Sequence, residues 1–163
     1  MTTIDNSPAP LDVFYSYAHE DKDLVKDLIA SLSLLRRQGV IKNLFDCEIV
    51  PGQQWDSVIK DQLSRAQIIL LCVSSDFLNS DYIYEIELQA AMDRHKAGTA
   101  TVIPVILRSA DWTGAWFAQL QALPTEARAI TSWPNVDEAF TDVARGVRRA
   151  IEARSASVTQ QSG

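Results

Sequence analysis

Along the chain, apolar and polar positions switch repeatedly between a period of two and a period near 3.6. "LDVFYSY" (11–17) is a short β-branched and aromatic run of the kind that forms a strand. Leu24, Val25, Leu28, Ile29, Leu32 and Leu35 then recur at helical spacing, and Gly39 is placed to close that helix. "LFDCEIV" (44–50) predicts a second strand, ended by the turn "PGQQW". Asp56 or Ser57 can cap a helix whose inner face holds Ile59, Leu63 and Ala66. "IILLCVSS" (68–75) is apolar on both faces, which predicts a central strand covered on two sides. "SDYIYEIELQAAMDRH" (80–95) reads as one helix, and "ATVIPVILR" (100–108) as a buried strand in which Pro104 loses one ladder hydrogen bond.

Beyond residue 108 the pattern loosens. Trp112 and Trp116 are expected against the sheet, and a short fifth strand is expected in "ARAITSW" (127–133). Asn135 with Glu138 is a capping signal for a last helix striped by Val136, Phe140, Val143, Val147 and Ile151. The polar, proline-bearing residues 1–10 read as a flexible leader, 11–153 as one domain, and 154–163 as a polar tail or linker to a further domain.

Strands alternating with helices five times predict an α/β fold, a flavodoxin-like parallel sheet of order 2-1-3-4-5 with helices on both faces. In that order a ligand crevice opens between the carboxyl ends of the first and third strands, here "YSYAHE" and "SSDF". The 80–95 helix starts beside the second of these and carries Glu85 and Glu87, two positions apart. At about 100° per residue from Ile83, Glu87 lands near 40°, inside the apolar arc with Ile86, Ala90, Ala91, Tyr84 and Leu88. Glu85 lands near about 200°, on the polar side. An inward carboxylate without a partner is expensive, and the helix dipole offsets only about 0.5 kcal/mol. Glu87 therefore needs either a structural partner, such as an arginine or a backbone N–H, or a function.

Charge and composition narrow the rest. The net charge of −6, with no basic stripe, argues against nucleic acid as a partner. The longest apolar run is too short for a membrane span, and no secretory signal pattern opens the sequence. Cys47 and Cys72 both fall in strand-like runs, and the two histidines are far apart, so a cytoplasmic protein with reduced thiols and no metal site is expected. Cys72 reads as a core residue rather than a nucleophile. The six glycines form no phosphate cradle, which excludes P-loop and dinucleotide-fingerprint chemistry. A phosphoacceptor receiver is excluded too, since it needs an aspartate ending the third strand and a lysine ending the fifth, and no lysine follows residue 96.

"DVFYSYAHEDKDL", "FDCEIVPGQQW", "SSDFLNSDYIYEIELQAAM" and "VIPVIL" together resemble, in order, the signatures of TIR domains. The resemblance covers roughly residues 10–152 and is nearest to bacterial members. It implies one of two roles. Some TIR domains hydrolyse NAD+ to nicotinamide and ADP-ribose or a cyclic isomer, while others are non-catalytic assembly modules. In the enzymatic branch a glutamate on the helix after the third strand is essential, and the matching residue is Glu87. It would hydrogen-bond the ribose and stabilise an oxocarbenium-like transition state. The resemblance further implies substrate contacts at Tyr17, Ala18, His19, Asp46, Trp55, Ser74 and Tyr82, with NAD+ as substrate and no cofactor. Four of these have a plainer reading: core packing for Tyr17, exposure for His19, a surface ion pair for Asp46, loop anchoring for Trp55. Many relatives place the aromatic four residues before the glutamate, whereas Tyr82 precedes Glu87 by five, and Ala18 and His19 stand where relatives often carry a basic residue. The resemblance also implies self-association through the 51–55 loop, activation by clustering through a partner or fused sensor domain, and a role in bacterial defence.

Overall fold

A computed structural model describes the backbone of residues 9–44 and 55–161, and side chains up to Ser155 except that of Trp55. Among these residues four parallel strands form one sheet of order β2-β1-β3-β4: β1 (Leu11–Ser16), β2 (Ile41–Asn43), β3 (Ile68–Val73) and β4 (Thr101–Ile106). Leu11 pairs with Ile41, Val13 with Ile68, and Ile68 with Thr101, so the first strand lies inside the sheet. The described part of β2 precedes the run expected as the second strand, most of which (45–50) lies outside the described residues, as does Asp46.

Every residue of β3 is buried, as its two-sided apolar pattern requires. Alternation divides its side chains between two cores. Ile68, Leu70 and Cys72 join Val13 and Tyr15 beneath α1 (Lys22–Ser31), α2 (Ser33–Arg37) and α6 (Val136–Gln161). Ile69, Leu71 and Val73 join Phe14 beneath α3 (Trp55–Arg65) and α5 (Leu88–Lys96). The first helical run breaks at Leu32 into α1 and α2, and ends where Gly39 adopts φ +74°, the left-handed conformation that favours glycine. At the other end of the chain, Asn135 Oδ1 accepts from Asp137 N (2.9 Å) and Glu138 N (3.2 Å) to cap α6. α6 then continues past Ser155, through residues expected to be tail.

The fifth sheet position is a single parallel bridge, Val105 to Leu123, and not a strand in 127–133. Leu123 N donates to Pro104 O and Ile106 N to Leu123 O, both at 2.8 Å. Pro124 follows with no N–H to continue the ladder, and residues 125–132 fold into two short 3-10 turns instead. Leu123 still packs closely on the last helix, where any side chain larger than hydrogen at Gly146 would collide with it. Among the described residues no helix is long and apolar enough to cross a membrane.

Candidate active site

The carboxyl ends of β1 and β3 diverge at the edge of a cleft of about 630 Å³, within the range that holds small-molecule ligands. One wall is the segment leaving β1, with Tyr17, Ala18, His19 and Glu20. The opposite wall is α4 (Ser75–Asn79) and its exit, with Asp76, Asn79 and Ser80. Val58, Ile59 and Gln62 of α3 close one side, and Tyr82, Ile83 and Glu87 complete the lining.

The expected 80–95 helix is not uniformly α-helical. Residues Ile83–Glu87 form a π-helical turn, in which Leu88 N–H reaches back to Ile83 O, and α5 begins only at Leu88. Ser80 Oγ accepts from Ile83 N (3.2 Å) at its start. Bonding from i to i+5 widens the helix by one residue per turn, so Tyr82 and Glu87 face the cleft together despite their spacing of five. The same widening corrects the helical wheel at Tyr84, which is 68% exposed rather than part of the apolar arc. The two glutamates fall as the wheel placed them: Glu85 is exposed, whereas Glu87 is 7% exposed.

Glu87 has no cationic partner among the described residues. Burial pushes its carboxyl up to about 7, opposed only by the nearby Ser16 hydroxyl. That hydroxyl is fully buried and closes a full hydrogen bond with none of the described residues, so it is a neighbour of Glu87 rather than a bonded partner. Tyr17 and Tyr82 line the same cleft as the carboxyl. Burial, then Cys72 and Glu87, raise the Tyr17 phenol; burial and the bond to Asp56 raise Tyr82. Both remain neutral rings at physiological pH. Tyr82 Oη donates to Asp56 Oδ1 (2.7 Å) and so ties the π turn to the start of α3. Cys72 is fully buried, with its thiol pushed far up by desolvation, and is no nucleophile. No group of His, Cys, Asp or Glu among the described residues could hold a metal ion.

Of the expected contacts, Tyr17, Ala18, His19, Tyr82 and Glu87 converge on the cleft. Ser74 does not line it. Its hydroxyl is fully buried, accepts from Phe77 N (3.1 Å) to cap α4 and donates to Asp21 Oδ2. Asp46 and the side chain of Trp55 lie outside the described set.

A second polar cluster, missed in the sequence, stands behind the cleft. Asp21, 2% exposed, accepts from Arg108 Nε and Nη2 (both 2.8 Å) as well as from Ser74. Arg108 also ion-pairs with Asp76 at the cleft rim. Asp21 belongs to the acidic stretch "HEDKD" that follows the first strand. Its one sequence cue was an arginine placed at the end of a wholly apolar strand.

Fold and site together define a flavodoxin-like α/β domain with a ligand-sized cleft at its topological switch point. The TIR-domain family model matches residues 13–152, and the chain belongs to that family. It is 49% identical over 138 residues to the uncharacterized protein y4lF of Sinorhizobium fredii, a match that covers 85% of this chain and 43% of that protein. The chain thus spans less than half the length of that relative. Its fold also resembles the TIR domain of the Toll-related receptor TRR-2 from Hydra magnipapillata, with a TM-score of 0.57 at 19% identity, covering 87% of this chain and 98% of that one.

Proposed function

We propose that the cleft is the active site of an NAD+ glycohydrolase, with Glu87 as its catalytic carboxylate. The observation that carries this reading is a buried carboxylate with no cationic partner among the described residues, facing a ligand-sized cleft that two neutral tyrosine rings also line. A structural glutamate would be expected to have found a partner; a reactive one is kept free for the charge that arrives with the substrate.

The pyridinium of NAD+ supplies that charge and leaves as neutral nicotinamide. As the glycosidic bond lengthens, positive charge moves onto the ribose, and Glu87 stabilises it through hydrogen bonds to the ribose hydroxyls. In a dry cleft this interaction is far stronger than in water. Tyr17 and Tyr82 offer aromatic surface to the rings, and Ala18 leaves room at the wall. His19, at the mouth, is the lining residue suited to a phosphate. Water then captures the ribosyl cation to give ADP-ribose, or the adenine does so to give a cyclic isomer. Asp46 is assigned to a ribose hydroxyl, and Trp55 with the 51–55 loop to contacts between copies. Clustering by self-association or by a sensor domain would switch activity on, in keeping with a bacterial defence effector. The exposed Tyr84 ring, on the same helix as Glu87, is the kind of residue that interfaces favour.

Nicotinamide release from NAD+ at high protein concentration tests the reading. Wild type should cleave, Glu87→Gln should not, and Glu85→Ala should match wild type. If wild type stays inactive even when artificially clustered, a non-catalytic assembly module replaces the enzyme.

A further inference from the structure

The two walls of the cleft come from different crossovers. The β1 exit carries Tyr17 to Glu20 into the lining and ends at Asp21; α4 carries Asp76 and Asn79. Arg108 lies outside the lining, at the end of β4, yet its guanidinium reaches both. Nε and Nη2 close on Asp21, while Nη2 also holds Asp76, and Ser74 completes the tie by bonding Asp21 and capping α4. Asp21 and Ser74 are buried, whereas Arg108 and Asp76 are each about two-fifths exposed, at 39% and 40% of their side chains. The cluster is therefore anchored at its inner end and open at the cleft rim.

We propose that Arg108 is a positioning residue: by clamping Asp21 and Asp76 together it fixes the separation of the two cleft walls, and so the fit of the ligand between them. A planar fork with several fixed donors can hold two carboxylates at once, which a single ammonium on a flexible stem does poorly. None of the clamp's hydrogen bonds and ion pairs among the described residues reaches the π turn that bears Glu87. Losing it should loosen ligand fit far more than it slows the chemical step. That kinetic consequence rests on the catalytic reading above, whereas the clamp itself does not.

Hydrogen–deuterium exchange on the full chain, paired with nicotinamide-release kinetics, tests this. In Arg108→Ala, and to a lesser degree in Arg108→Lys, amides of residues 17–21 and 75–80 should exchange on the order of tenfold faster relative to those of 88–96, which report any general loss of stability. KM for NAD+ should rise on the order of tenfold, with kcat falling less than about threefold. Millimolar guanidinium should return the alanine variant toward wild type in both readouts, an effect that a general loss of packing would not show. If the alanine variant does not fold, the lysine variant, which keeps a charge beside Asp21, carries the test. Unchanged exchange in both wall segments, exchange raised equally across the domain, or an unchanged KM despite loosened walls would each overturn the proposal. If wild type releases no nicotinamide at all, the catalytic reading is what fails, and exchange with guanidinium rescue alone decides the clamp.

Discussion

Two carboxylates are buried at the same end of the sheet, and the protein treats them in opposite ways. Asp21, 2% exposed, is surrounded by an arginine and a serine hydroxyl that satisfy it. Glu87, 7% exposed, faces an open cleft and has, among the described residues, no cationic partner and an imperfectly placed serine nearby. Burial is nearly the same, so burial alone does not mark a reactive group. What separates the two is whether the neighbours compensate the charge. A compensated carboxylate holds structure together. An uncompensated one stores unfavourable energy that a cationic transition state can release.

The largest effect should come from Glu87→Gln, which keeps the shape and removes the charge. Nicotinamide release should fall by about 10³-fold or more, equivalent to about 4 kcal/mol of transition-state stabilisation. The same substitution should make the protein more stable at pH 8, since a neutral amide is easier to bury than an ion. A variant that loses both activity and stability would place Glu87 in the same class as Asp21 and erase the contrast.

The clamp should behave asymmetrically. Arg108→Ala leaves Asp21 as a buried charge held by Ser74 alone; because the guanidinium is itself 39% exposed, the loss should be smaller than for a wholly buried pair, about 2–4 kcal/mol. Asp21→Ala removes the buried charge itself and leaves Arg108 paired to Asp76 at the surface, so about 1–3 kcal/mol is expected. Urea denaturation of both variants reads the difference directly. Equal losses would show that Asp21 is not the costly partner.

A pH series sharpens the comparison further. The Glu87 carboxyl titrates near 7 in the folded protein against an ordinary 4.5, so the folded state binds the proton more tightly. Between those values unfolding releases a proton, and stability falls as pH rises. The penalty is absent below about pH 4.5 and complete above about pH 7, reaching about 3 kcal/mol. Because other groups titrate too, the quantity to measure is the difference in unfolding free energy between wild type and Glu87→Gln. It should favour the variant at pH 8 and shrink toward pH 5. Over the same window kcat/KM should rise with pH as the carboxylate forms, so activity and stability should move in opposite directions.

How far these features could be read from the sequence depends on the range of the interactions that made them. β3 was legible because burial on both faces leaves an apolar run with no alternation, and the Gly39 stop and Asn135 cap because they are local backbone chemistry. The contrast between Glu85 and Glu87 survived the π turn because widening a single turn rotated neither glutamate across the surface boundary. Tyr84, nearer that boundary, did not survive it. The fifth strand failed at Pro124, whose effect depended on which residue met Val105. The Asp21–Arg108 pair left no cue beyond an arginine at a strand end, because its members are 87 residues apart and meet only when three strand ends converge.

The smallest expected effect tests the join between the two halves of the cleft. Tyr82 faces the cleft beside Glu87 only because the π turn puts positions five apart on one face, and its hydroxyl is bonded to Asp56 on α3. That bond, ahead of the one from Lys60, holds the Asp56 carboxyl below its ordinary value. Tyr82→Phe keeps the ring that faces the ligand and deletes only the bond. Asp56 should then titrate higher in a carboxylate-resolved NMR experiment, while melting temperature and KM barely move. An unchanged Asp56 titration would mean that α3 and the π turn are not bonded in solution, and the cleft would then owe its shape to the Arg108 side alone.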